Sequence, residues 1–208
     1  MSWEALEAEH QSCLSEVIQN PQKAFLLISE PNPTFTKGRS GLDSDLIWNE
    51  SERQARGVTT APVARGGQWT YHGPGQIVCY PIVQLSELGF DRRAVTAFLE
   101  VLKASLVQII EKLEIPTDRE TTDLPFGIYS GGKKLVSFGI NIQRGVTSHG
   151  FALYLTRQTS YFQGINPCGV AGGTLTSLEE LGGAISWEDA AGQVIESIKK
   201  GFKTSENC

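Results

Sequence analysis

The chain has few of the residues that build metal centres or disulfide frameworks: 3 histidines and 4 cysteines in 208 residues. Cys13, Cys79, Cys168 and Cys208 show neither metal-ligand spacing nor short-loop pairing, and with only His10, His72 and His149 beside them no metal site is expected. The start, Met1-Ser2-Trp3-Glu4-Ala5, lacks a basic stretch leading into an apolar one, so no secretory signal is expected and the thiols are read as reduced. The longest apolar runs, Ala24 to Ile28 and Gln76 to Val83, fall far short of the roughly 20 residues that a bilayer requires. A cytoplasmic location follows as the expectation. A net charge of −5 argues against nucleic acid as the main partner.

Composition is that of an ordinary globular protein, with 40% hydrophobic and 20% charged residues. No repeat, low-complexity tract or linker interrupts it, so a single domain over residues 1–208 is expected. Trp3, Leu6, Leu14, Val17 and Ile18 share a helical face over residues 3 to 18. Lys23 to Glu30 reads as a strand ended by Pro31-Asn32-Pro33, and Ser40 to Val58 as loop-rich. Ala61 to Val83 reads as two or three strands broken by Gly66-Gly67 and Gly73-Pro74-Gly75. From Asp91 to Leu113, Val95, Phe98, Leu99, Leu102, Leu106, Ile109, Ile110 and Leu113 form one apolar stripe, with Pro116 marking the helix end. Strands at Phe126 to Ser130 and Lys134 to Gln143 flank a Gly131-Gly132-Lys133 turn, and a third runs from Thr147 to Leu155. Two short closing helices carry cap pairs, Thr176 with Glu179 and Ser186 with Asp189. The pattern predicts an α+β (mixed α/β) domain, a mixed sheet with packed helices.

Chemistry concentrates in a few segments. Arg65-Gly66-Gly67-Gln68-Trp69-Thr70-Tyr71-His72-Gly73-Pro74-Gly75-Gln76 prescribes a tight backbone path with room for a ligand to approach the main chain. A glycine-rich hairpin is the structural alternative of equal weight, whereas a nucleotide loop is excluded by the missing Gly-x-Gly-x-x-Gly and Gly-Lys-Ser/Thr patterns. Pro167-Cys168-Gly169 sets a thiol in an open loop; by elimination Cys168 is the candidate nucleophile, since Cys79 lies within an apolar run and reads as core. Lys133 and Lys134 sit at a hairpin mouth, where an ammonium near a thiol would favour the thiolate. His149-Gly150 echoes His72-Gly73, although a lone histidine is more often a structural hydrogen-bonder than a catalyst.

Taken together, these segments resemble the lipoyl(octanoyl) transferases, members of the biotin/lipoate ligase-like superfamily. The resemblance rests on Arg65 to Gln76 followed by Ile77-Val78-Cys79-Tyr80-Pro81-Ile82, and on Gly132-Lys133-Lys134-Leu135, Ser137-Phe138-Gly139 and Arg144-Gly145. It continues through Ser148-His149-Gly150-Phe151-Ala152-Leu153 and Ile165-Asn166-Pro167-Cys168-Gly169, with Phe35-Thr36-Lys37-Gly38 as an early counterpart. These matches run in order over about residues 25–180.

The resemblance implies that Cys168 carries the acyl group as a thioester and that Lys134 activates it, with Lys133 the neighbouring competitor. It implies an acyl site lined by Arg65, Gly66, Gly67, Gln68, Trp69, Thr70, Tyr71, His72, Ser137, Phe138, Gly139, Gly150, Phe151 and Ala152, and His149 is an additional candidate. Trp69 is bulkier than the family pattern suggests; pointing into the site it would shorten the acyl chain accepted, and pointing into the core it would change nothing.

The implied reaction moves octanoyl, or lipoyl, from acyl carrier protein to a lysine of a lipoyl domain, without a cofactor. Thioester-to-thioester exchange is nearly isoenergetic and the final amide is more stable, so no ATP is required. Implied partners are octanoyl-acyl carrier protein as donor, and lipoyl domains of 2-oxoacid dehydrogenases or a glycine-cleavage carrier protein as acceptors. Arg39, Arg92, Arg93 and Arg144 are candidate docking cations for an acidic carrier, and a monomer is expected. Three rivals remain. An ATP-dependent lipoate or biotin ligase would need no cysteine, a cysteine hydrolase would release acyl groups to water, and a degenerate carrier-binding module would lack the nucleophile or the lysine.

Overall fold

The computed structural model describes residues 1–91, 93–119, 124–157, 159–167 and 175–205. Helix α1 (Trp3–Gln19) starts where the Ser2 side chain accepts the Ala5 amide, and buries Trp3, Leu6, His10, Leu14 and Val17 along one face. Strands β1 (Ala24–Ser29) and β2 (Thr34–Lys37) follow, then α2 (Glu50–Ala55), β3 (Thr59–Pro62), β4 (Trp69–His72) and β5 (Gln76–Val83). Helix α3 (Val95–Lys112) leads to β6 (Gly127–Ser130), β7 (Lys133–Gln143) and β8 (Val146–Tyr154). A single turn, α4 (Thr159–Phe162), and the long α5 (Trp187–Ser205) complete the order.

A five-stranded antiparallel sheet runs β1-β5-β8-β7-β6, and a smaller mixed sheet runs β3-β2-β4, with β2 parallel to β3 and antiparallel to β4. Strand β5 is buried along its whole length, which explains its near-continuous apolar run. One face of the large sheet carries Phe151 and Leu153 of β8, with Leu155 just beyond the strand, into a core shared with α3 and α5. The other carries Ala152 and Tyr154 into a second core, built with α1 and the small sheet. This period-two division sorts the two cores. The α+β class is as expected.

Several elements depart from the expectations. The strand β2 lies in a segment assigned no element, and the helix α2 in one read as loop-rich. Asn49 and Glu52 form a reciprocal capping box that starts α2, a short-range signal set in otherwise polar sequence. Helix α3 begins at Val95, because Asp91 opens a preceding turn by accepting the Arg93 and Ala94 amides. The turn between β6 and β7 is the two residues Gly131-Gly132, both at positive φ, so Lys133 already belongs to the strand. Of the two closing helices, the first is only a 3₁₀ turn, Glu179–Leu181, whose N-cap is Leu178; Ser177 Oγ, rather than Thr176, accepts an amide there, that of Glu180. The second spans 19 residues and does start at Ser186 with Asp189.

Between β5 and β8 the backbones approach closely at Gly150, where an added Cβ would lie 2.0 Å from the Cys79 carbonyl oxygen. A side chain there must push apart the central strands, both of them buried. Gly150→Ala is therefore expected to destabilise the protein by about 3 kcal/mol or more, read as a lower denaturant midpoint.

Candidate active site

Arg65 to Gln68 leave β3 and return into β4 as a tight loop held on two sides. Gly38, Arg39 and Ser40 donate amides to the carbonyls of Gln68, Arg65 and Gly67, and the Gly66 amide donates to the Ile140 carbonyl of β7 at 3.3 Å. The Arg65 guanidinium is buried; it donates to the Thr36 carbonyl and hydroxyl, both at 2.8 Å, and to the Gly66 carbonyl at 3.0 Å, so its N–H groups are tied to β2 and to its own loop. Its aliphatic stem lies over Gly139, where an added Cβ would come within 3.0 Å of Arg65 Cδ. The Arg-Gly-Gly loop thus bridges the small sheet to the middle of β7.

A cavity opens between that loop and the face of β7 and β8. It is lined by every residue assigned to the acyl site on sequence except Tyr71, together with Lys134 and His149. Tyr71 is fully buried behind the wall, its ring stacked on Tyr161 at 4.4 Å, and has a packing role. Trp69 does both things considered for it. It is only 5% exposed and belongs to the core, with its indole N–H donated to the Leu42 carbonyl, yet it also lines the cavity.

Lys134 and Lys133 are separated by the strand. Lys134 lines the cavity with its Nζ 5.3 Å from the Tyr129 ring centroid, whereas Lys133 is exposed. Cys168 lies outside the described residues, but Pro167 and Leu175, which bracket residues 168–174, both line the cavity. From Lys134 to Gly139 the cavity follows β7 over six residues, five steps of roughly 16 Å in all at strand spacing.

Sequence reasoning missed Tyr80, Leu124, Pro125, Tyr129, Tyr154, Phe162 and Leu175 in the lining. Tyr154 could have been found, because it sits two residues beyond Ala152 on the same strand face; its hydroxyl meets Ser137 Oγ at 2.8 Å. Leu124 and Phe162 arrive from distant segments and carry no local signal. Also missed was His10, which sits between Leu6 and Leu14 on the buried stripe of α1, at helical spacing from both.

Both histidines of the glycine-flanked motifs are held neutral. His72 stacks on Trp3 at 5.2 Å, and its Nδ1 faces Gln76 Oε1 at 3.4 Å. Burial, and secondarily the Arg65 charge, lowers its pKa to about 3. His149 is likewise lowered to about 3, by burial first and by neighbouring His10 second. Cys79 is buried and its thiol is pushed well up by that burial, as suits an inert core residue.

These two histidines bind protons in the unfolded chain but not in the folded one. Their contribution to stability is complete above the ordinary histidine pKa and is lost as pH falls from about 6.5 towards about 3. Proton uptake on unfolding at about pH 5 is expected to fall by about one in His72→Gln, read from the slope of unfolding free energy against pH.

Comparison with known proteins agrees with this architecture. Residues 3–200 match the family model for the lipoyl protein ligase A/B catalytic domain. An octanoyltransferase from Citrifermentans bemidjiense is 39% identical over 180 residues, covering 86% of this chain and 81% of that protein. A probable octanoyltransferase from Pyrobaculum calidifontis is 32% identical over 202 residues, covering 97% and 80%. Among solved structures, a bi-partite lipoate protein ligase from Thermoplasma acidophilum superposes with a TM-score of 0.70 at 12% identity, covering 97% of this chain and 80% of that one, and shares the fold. The family motifs therefore occur in their expected order, on the family's fold, at identities maintained over nearly the whole length: this chain belongs to the octanoyltransferases of the lipoyl protein ligase A/B catalytic family.

Proposed function

We propose that the protein transfers an octanoyl group from acyl carrier protein to the lysine of a lipoyl domain through a thioester on Cys168. The observation that carries this reading is the cavity itself. Hydrocarbon from Trp69, Tyr80, Tyr154 and Phe162 walls a slot along β7, and Lys134 and Pro167 line it as well. A medium-length acyl chain is a suitable occupant for such a slot.

In the first step the Cys168 thiolate attacks the donor thioester carbonyl, and the carrier thiol leaves with a proton. In the second the acceptor lysine amine attacks the Cys168 thioester, an amide forms, and the cysteine sulfur leaves. Lys134 is the proton carrier for both steps: as an ammonium it favours the thiolate, and as an amine it takes the proton of the incoming lysine. Its place on the cavity wall supports it over Lys133. Amides near His72-Gly73 would stabilise the oxyanion.

The relatives' name, octanoyltransferase, supports an octanoyl donor, and the likeness to a lipoate ligase studied with its E2 lipoyl domain fits a lipoyl-domain acceptor. Arg39, Arg93 and Arg144 are exposed and available to an acidic carrier, while Arg92 lies outside the described residues.

Mixed with octanoyl-acyl carrier protein without ATP or acceptor, the wild type should gain one octanoyl mass, labile to hydroxylamine, and Cys168→Ala should gain none. An apo lipoyl domain should discharge the adduct. Lys134→Ala should slow Cys168 acylation by about a hundredfold or more, and Lys133→Ala by no more than about threefold. Acceptor acylation that requires ATP and free octanoate would instead establish a ligase.

A further inference from the structure

The ladder between β5 and β8 is interrupted beyond the Cys79–Phe151 pair and is next closed by the isolated Gln84–Val146 bridge. Pro81 lies in this gap and brings no N–H to it. Two side chains satisfy the backbone there. Thr147 Oγ1 donates to the Pro81 carbonyl at 2.7 Å and accepts the Val83 amide at 3.0 Å. The His149 amide donates to His10 Nε2 of α1 at 3.4 Å.

His149 is also one of the few non-glycine residues at positive φ, at 57°. By strict alternation it would share the face of Phe151 and Leu153, towards α3 and α5. Its ring instead lies on the opposite face, 4.5 Å from His10 and 5.4 Å from Tyr80, and lines the cavity. A left-handed residue at an irregularity of this kind re-aims one side chain across the sheet.

We propose that His10 is a positioning residue for the acyl site: by accepting the His149 amide, it holds the left-handed turn that swings His149 from the helix-packed face of the sheet into the cavity. This rests on the reading of that cavity as the acyl site. Since Nε2 accepts, the His10 proton is on Nδ1, which faces Glu7 Oε2 at 3.5 Å; among the described residues neither atom makes a hydrogen bond to any other group. Glu7 is oriented in turn by Gln11, which donates to its other oxygen at 2.7 Å. The carboxylate of Glu7 thus fixes the tautomer that the His149 amide requires. Glu7, His10 and His149 offer ligand atoms within 4.8 Å of one another, but a metal on His10 Nδ1 would displace the proton that this arrangement places there.

The test combines nitrogen NMR of the histidine rings with kinetics of His10→Leu, His10→Gln, His149→Gly and the double variant His10→Leu/His149→Gly. His10 should be the Nδ1–H tautomer. His10→Leu should lower kcat/KM for octanoyl-acyl carrier protein by about tenfold, and His10→Gln, which restores an acceptor near the Nε2 position, by about twofold. In the His149→Gly background, where glycine takes the left-handed conformation unaided, His10→Leu should change kcat/KM by less than about twofold. Effects of the two substitutions that simply multiply, an Nε2–H His10, or stoichiometric zinc binding that depends on His10 would overturn the proposal. Absence of acyl transfer by a wild type that shows the Nδ1–H tautomer would count against the acyl-site reading alone.

Discussion

A central strand that contains a proline cannot complete its ladder, and much of this site depends on where β5 places Pro81. Strands β5 and β8 pair regularly from Gln76–Tyr154 to Cys79–Phe151 and then separate. Past that point their backbone groups are satisfied by side chains, Thr147 from within β8 and His10 from α1. The alternative, unpaired amides and carbonyls at the centre of the molecule, would cost more than most single contacts return. The opening therefore couples the N-terminal helix to the wall of the cavity.

Arg65 makes the corresponding link from the other side. Its guanidinium donates to the Thr36 carbonyl and hydroxyl in the small sheet, and its stem covers Gly139, opposite Gly150 in the β7–β8 register. The two sheets are thus held apart at a spacing set by a buried cation and by positions without side chains. An apolar slot with little freedom to collapse is the result, suited to holding an acyl chain away from water.

The motif from Arg65 to Gln76 was legible as a ligand-approach loop because glycine and proline report backbone geometry locally. The choice between Lys133 and Lys134 was not legible, since it depends on where the two-residue turn ends and hence on which lysine faces inward. Tyr71 shows the same limit in reverse: it lies inside the motif, yet its ring packs behind the cavity against Tyr161. Strand β2 and helix α2 escaped detection for a related reason. Their pairing partners and cap are specific, but their sequence is short and polar.

By itself the sequence determined the α+β class, the apolar stripes of α1 and α3, the buried run of β5, the family and the order of its motifs. The structural features are encoded by periodicity or by residues whose chemistry acts on adjacent backbone, and the family by the resemblance of its motifs. Only the tertiary structure decided that Lys134 faces the cavity, that Trp69 serves core and cavity together, and that His149 is turned across its sheet. These outcomes depend on contacts between residues far apart in the chain, such as His10 with His149 and Arg65 with Gly139, whose meeting no local pattern records.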